Sequence, residues 1–232
     1  MPYQIGLSLI SPHNQKALSA EARRILSEFE ERPIAEADIV REEQGRPYFS
    51  DRHADFSISH SGAMAAVSCA GGPMQESSAS IMRTGCDIER IRPRTNAGQL
   101  AELFFCPHER DYVFSKGEFD LTRFYRIWTL KESYLKCKGL TVFDMKKAPS
   151  FISGKPGPEL FAFDTAVSVP LSFYLYELRG NDNEHYILAS VLEGLNQEPP
   201  IIQWFSEVSL SLKSRAEIKA PLSPADTVRP KM

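Results

Sequence analysis

One stretch constrains this chain more than any other: LTRFYRIWTLKESYLKCK, residues 121–138. Leu121, Phe124, Tyr125, Trp128 and Leu135 recur at the spacing of one face of a 3.6-residue period. The pattern predicts a helix over 121–138, started by Asp120 or Thr122 as N-cap and ended by Gly139 after a basic last turn. Glu132 breaks the stripe. At about 100° per residue it falls ~20° from Leu121, in the middle of the apolar face, with Lys131 and Lys136 on its two edges. A carboxylate placed there loses its hydration and needs a partner or a metal ion. Two explanations compete. Either Glu132 and Lys136, four residues apart, form a structural ion pair, or the helix faces a charged site there rather than a core.

The rest of the chain reads as two rounds of one layout. Residues 3–10 (YQIGLSLI) predict a strand and 18–29 a helix with Ser19 as N-cap. Residues 55–69 then predict a hairpin: strand 55–59, a turn at His60-Ser61-Gly62, and strand 63–69. Residues 71–83 are small and polar, as in a linker. The second round has a strand at 84–91, short helices at 99–105 and 109–115, and the long helix. It closes with strands at 172–178 and 186–192, joined by a turn at 180–183. The expected fold class is therefore α+β, with two similar subdomains, each a small antiparallel sheet packed on a helix. The expected boundaries are 1–78 and 79–195. Residues 196–232 form an additional segment, expected to be mobile over its last dozen residues, with IIQWF packing on the body.

Bulk properties exclude several classes. The 232 residues are 42% hydrophobic and 25% charged with a net charge of −3, which argues against a general polyanion or membrane-surface binder. Basic residues concentrate instead at 121–138, where Arg123, Arg126, Lys131, Lys136 and Lys138 accompany one acid, Glu132. The four cysteines form no CxxC pair, which predicts reduced thiols and a cytoplasmic setting. No apolar run reaches the roughly 18 residues of a membrane span. Walker A, G-x-G-x-x-G and G-x-S-x-G motifs are all missing.

The chemistry lies in GCDIE and in the helix. Along a strand, Asp87 and Glu89 point to one face, with Cα atoms about 6.6 Å apart. A lone D-x-E is the ordinary pattern of a solvated acidic edge. With Glu132 as a third carboxylate, and no His or Cys as a partner ligand, the set suits Mg²⁺ or Mn²⁺. Arg46, His60, Lys131 and Lys136 are candidate anion ligands. On its own, His60 reads more readily as a turn residue that satisfies backbone groups.

The segments GRPYF…DFSISHS, GCDIE and FYRIWTLKESYLK, in that order, resemble the motif set of the 4′-phosphopantetheinyl transferases, in particular the larger, surfactin-synthetase-activating class. The resemblance covers roughly residues 1–195. It implies two subdomains related by pseudo-twofold symmetry with the site between them. It implies transfer of 4′-phosphopantetheine from coenzyme A to a serine of an apo acyl or peptidyl carrier protein, with release of 3′,5′-ADP. It places Mg²⁺ on Asp87, Glu89 and Glu132, and the 3′-phosphoadenosine end on Arg46, Ser59 and His60. Lys131 and Lys136 would contact the phosphates, and Glu132 would also be the base. A monomer is implied, because one chain holds both halves. The carrier would meet Phe104, Phe105, Tyr112, Phe114 and Lys116, which are also readable as core. The carrier's pathway, whether fatty acid, polyketide or nonribosomal peptide synthesis, is left open. The alternative is a binding protein of the same fold that grips coenzyme A or a carrier without turnover. The N-terminal basic residues Arg23, Arg24 and Arg41 match no family position.

Overall fold

A computed structural model describes residues 3–9, 15–71, 82–153, 160–163, 171–179, 184–194, 199–205 and 211–219. The first half contains β1 (Gln4–Leu9), α1 (Gln15–Glu30), β2 (Ile39–Arg41), β3 (Pro47–Phe49), β4 (Ala54–Ser61) and β5 (Met64–Gly71). The second contains β6 (Arg83–Arg90), α2 (Ala97–Phe104), α3 (Pro107–Val113), α4 (Leu121–Lys138), β7 (Ser150–Ser153), β8 (Leu160–Phe163), β9 (Leu171–Arg179) and β10 (His185–Glu193). Two further strands follow, β11 (Ile201–Trp204) and β12 (Ser211–Lys219).

The fold is α+β, and the two rounds share a strand order. In the first sheet, β11-β1-β5-β4, the opening strand pairs with the second strand of the hairpin. The second sheet, β12-β9-β10-β6, repeats that pairing with β6 beside β10. Alternation along each strand sorts the core into layers. Ile25, Leu26 and Phe29 of α1 pack with Phe56, Val67 and Cys69 of the first sheet. The opposite face of that sheet, with Tyr3, Ile5, Leu7 and Met64, meets Ile88, Tyr174, Tyr176 and Leu188 of the second sheet. The far face of the second sheet, with Phe173, Leu175, Ile187 and Val191, is covered by Phe124, Ile127, Leu130 and Leu135 of α4.

Helix α4 starts and stops as its sequence predicts. The Asp120 carboxylate accepts the Arg123 N–H at 3.0 Å, and Gly139 ends the helix at φ +67°. The helix lies directly on β6. A Cβ at Gly85 would sit 2.0 Å from the Ser133 carbonyl oxygen, so only glycine allows this approach.

Three features differ from the sequence expectation. Strand β4 continues through His60 and Ser61, because Ser61 pairs with Met64 and the turn itself is Gly62, at φ +58°. Within 196–232, IIQWF packs on the body as expected, with β11 parallel to β1; the difference is that a second strand, β12, runs antiparallel to β9. The segment SLKSRAEIK, for which no strand is expected, is an edge strand, and the last dozen residues lie outside the described residues. Third, of the aromatics expected either to meet a carrier or to form core, Phe105 is core, while Phe104, Tyr112 and Phe114 are partly exposed and pack against that core. The turn at 180–183, and 72–81 of the linker, lie outside the described residues. Among the described residues, no helix is long and apolar enough to cross a membrane.

Candidate active site

The site forms where β4 and β6 run side by side. Ser57, Ser59 and Ser61 point to one side of β4 and meet β6 in register. Their hydroxyl oxygens accept the N–H groups of Cys86, Ile88 and Arg90 at 3.1, 3.2 and 3.0 Å. The seam is thus stitched by side-chain oxygens where a continuous sheet would use carbonyls. Two of the three hydroxyls also donate. Ser59 donates to Asp87 Oδ1 and Ser61 to Glu89 Oε2, each at 2.8 Å.

Helix α4 brings the third side of the site. Lys136 Nζ lies 2.7 Å from Asp87 Oδ1 and 2.9 Å from Ser59 Oγ. Asp87 Oδ2 is buried and has no hydrogen-bond partner among the described residues. Burial pushes the Glu132 carboxyl up to about 7, helped by Asp87 and Glu89 and opposed by Lys136. Glu89 is raised as well, first by burial and then by Asp87. For Lys136, burial works against the charge, but Asp87 in particular outweighs it, and the ammonium stays protonated above its usual range. Glu132 therefore faces acidic neighbours at the seam. The sequence anomaly on α4 reflects a charged site, to which Lys136 also belongs.

Two openings meet here. One, of about 330 Å³, is lined by Arg41, Arg46, Ile58, His60, Lys136 and Leu140. The other, of about 780 Å³, is lined by His60, Ser61, Glu89, Arg92, Arg94 and Tyr125. His60 borders both.

Lys131 requires a correction. It is not at the seam: its ammonium is turned into the second half, 3.1 Å from Glu109 Oε1 and 3.2 Å from the Pro149 carbonyl. Both side chains of that pair are almost fully buried, at 2% and 0% exposure. Helical angle alone put Lys131 at the edge of the stripe; it could not reveal that α3 supplies an acid there. Arg46 is placed by the first opening, but its guanidinium is held by protein atoms. Nη2 binds Asp55 at 2.6 Å and the Thr84 carbonyl at 3.2 Å, and Nε binds the Lys136 carbonyl at 2.8 Å.

Sequence reasoning missed Ser61, Arg92 and Arg94. Ser61 was assigned to the turn, although its two-residue spacing from Ser57 and Ser59 was the available signal. Arg94 sits 5.3 Å over the Trp128 ring, and its charge acts on Glu89 and Glu132.

Among the described residues, no group of three or more His, Cys, Asp or Glu side chains is gathered closely enough to hold a metal ion. The donor chemistry still suits a hard dication. The nearby acids offer only carboxylate oxygens, Asp87 Oδ2 lacks a partner, and burial raises Glu89 and Glu132.

Comparison with known proteins identifies the family. The family model described as the 4′-phosphopantetheinyl transferase superfamily matches residues 83–190, from the start of β6 through most of β10. The chain is 31% identical over 170 residues to the 4′-phosphopantetheinyl transferase AcpT of Salmonella typhi, covering 71% of this chain and 83% of that protein. It is 35% identical over 115 residues to a putative 4′-phosphopantetheinyl transferase of Haemophilus influenzae, covering 50% of this chain and 46% of that protein. It is 30% identical over 119 residues to the 4′-phosphopantetheinyl transferase ffp of Bacillus subtilis, covering 50% and 48%. The chain thus spans about half the length of the Haemophilus and Bacillus relatives. It belongs to the 4′-phosphopantetheinyl transferase superfamily, a family of transferases.

Proposed function

We propose that this chain transfers 4′-phosphopantetheine from coenzyme A to the serine of an apo carrier protein and releases 3′,5′-ADP. The observation that carries this reading is the meeting of Asp87, Glu132 and Lys136 at the seam, between two openings, with Asp87 Oδ2 unpartnered. The smaller opening would take the nucleotide end of coenzyme A, beside Arg41, Arg46 and His60. The larger would admit the carrier serine past Arg92 and Arg94.

A serine hydroxyl needs a base before it attacks phosphorus. Glu132, with its carboxyl at about 7, is poised to accept that proton near neutral pH. Lys136 supplies a fixed positive charge against the charge that develops on the phosphoryl oxygens. Asp87, Glu89 and Glu132 would hold Mg²⁺ (or Mn²⁺), which when bound neutralises pyrophosphate oxygens. We also infer a monomer, because a single chain supplies both sides of the seam, with its halves dividing at 78/79, and a cytoplasmic setting, in keeping with four free cysteines.

The test is the intact mass of an apo acyl carrier protein incubated with the chain, coenzyme A and Mg²⁺, with EDTA as control. The expected result is a mass gain of one phosphopantetheine arm that EDTA abolishes. No gain on fatty acid, polyketide and peptide carriers, with coenzyme A still bound, would establish the non-catalytic binding protein instead.

A further inference from the structure

The serine ladder has a directional logic. A hydroxyl has one proton to give and accepts through its lone pairs. On each rung, the oxygen receives a β6 N–H, which fixes where that oxygen lies. On the Ser59 and Ser61 rungs the hydroxyl proton is directed to the carboxylate one residue earlier on β6, Asp87 and Glu89 respectively. The Ser57 rung makes the same N–H contact with Cys86, but the residue one earlier is Gly85, which has no side chain.

We propose that Ser61 is a positioning residue for Glu89, and that Ser59, engaged by Asp87, Ile88 and Lys136 in place of the coenzyme A contact expected of it, is its counterpart for Asp87. Strand β4 of the first half thereby sets the side-chain orientation of the carboxylates carried by β6 of the second. The Ser61 rung is the cleaner one, because Ser59 also contacts Lys136. Ser61 is largely buried, at 8% exposure, so water does not readily replace its hydroxyl. Without it, Glu89 Oε2 and the Arg90 N–H both lose a partner, and the carboxylate is free to turn. This inference rests on the proposed role of Asp87, Glu89 and Glu132 as the reacting-centre carboxylates.

The experiment compares Ser61→Ala, which deletes the hydroxyl, with Ser61→Thr, which keeps it. It reads kcat and the KM for coenzyme A, and separately the Mn²⁺ affinity of the substrate-free protein by electron paramagnetic resonance. Ser61→Ala is expected to lower kcat and weaken Mn²⁺ binding, each about tenfold, the scale of one charge-assisted hydrogen bond. KM for coenzyme A should hold, and Ser61→Thr should recover both losses. Ser57→Ala calibrates the thermal cost of losing a seam hydrogen bond alone. If Ser61→Ala does not fold, Ser61→Cys, which keeps the bulk but donates weakly, replaces it. Wild-type kcat and Mn²⁺ affinity in Ser61→Ala, or losses that threonine does not recover, would overturn the proposal. A wild type that modifies carriers but does not bind Mn²⁺ removes only the metal assignment, and the kcat comparison still decides. A wild type inactive on every carrier removes the underlying reading and this proposal with it.

Discussion

Helix α4 carries two lysine–carboxylate pairs that look alike on paper and differ in their surroundings. Lys131 and Glu109 form a closed pair inside the second half. Glu109 Oε1 takes both Lys131 and the Phe151 N–H, and Oε2 takes the Cys106 N–H, so both of its oxygens are engaged. Lys136 and Asp87 form an open pair at the seam. Lys136 keeps 29% of its side-chain surface exposed, and one oxygen of Asp87 has no partner. A closed pair has nothing left to offer a ligand and ties α4 to α3 and β7. An open pair beside a second, half-buried carboxyl, Glu132, keeps capacity for a substrate. The lesson is that satisfaction of the acid, more than the presence of the pair, separates scaffold from chemistry.

The largest effect should come from the open side. Glu132→Gln is expected to reduce kcat on the order of 10²–10⁴-fold, the usual contribution of a positioned base, measured as carrier modification over time. Retained wild-type turnover would move Glu132 to the scaffold side. Lys131→Met should behave oppositely, costing roughly 3–5 kcal/mol of stability by stranding buried Glu109. Urea denaturation reads that loss, and the folded fraction should turn over normally. Unchanged stability with lost turnover would return Lys131 to the chemistry.

Arg46 tests the border between the two regions, since it grips Asp55 and the carbonyls of Thr84 and Lys136. Arg46→Ala should lower stability by roughly 2–3 kcal/mol, the worth of charged hydrogen bonds. A large rise in KM for coenzyme A without loss of stability would make Arg46 a substrate ligand only.

A smaller effect concerns pH. The Glu132 carboxyl is raised in the fold from 4.5 to about 7, so the native state favours its protonated form. Its stabilising contribution is complete below the unfolded value of 4.5 and is lost as pH rises through about 7. In metal-free buffer, the Tm advantage of Glu132→Gln over the wild type should therefore grow as pH rises through this window. A difference that is flat with pH would mean that Glu132 is not buried against its acidic neighbours. The smallest effect on turnover should follow removal of 211–232. This uncovers the edge of β9 and is expected to lower Tm by a few degrees and promote self-association, with kcat near wild type. A strong loss of kcat would tie β12 to the site.

Much of this was legible in the sequence because two periods carry it. The 3.6-residue period set α4 and its anomaly at Glu132, and the two-residue period put Asp87 and Glu89 on one face of β6. What stayed hidden depends on partners distant in the chain. Lys131 needed Glu109 and Arg46 needed Asp55 and Thr84, neither readable from local spacing. Ser61 was lost to a turn placed too early on the β4–β5 hairpin. The β12 strand was lost because, in an edge strand, alternating charge looks like an unstructured tail.

The parallel pairing of β1 with β11 brings Gln4 opposite Ile201. Strand β1 therefore cannot finish its hydrogen bonding until β11, far along the chain, has been synthesised. Until then one edge of β1 stays open, and the nascent chain carries an exposed pairing surface. Contacts so distant in sequence slow folding, so closure of this edge waits on β11, which emerges long after β1.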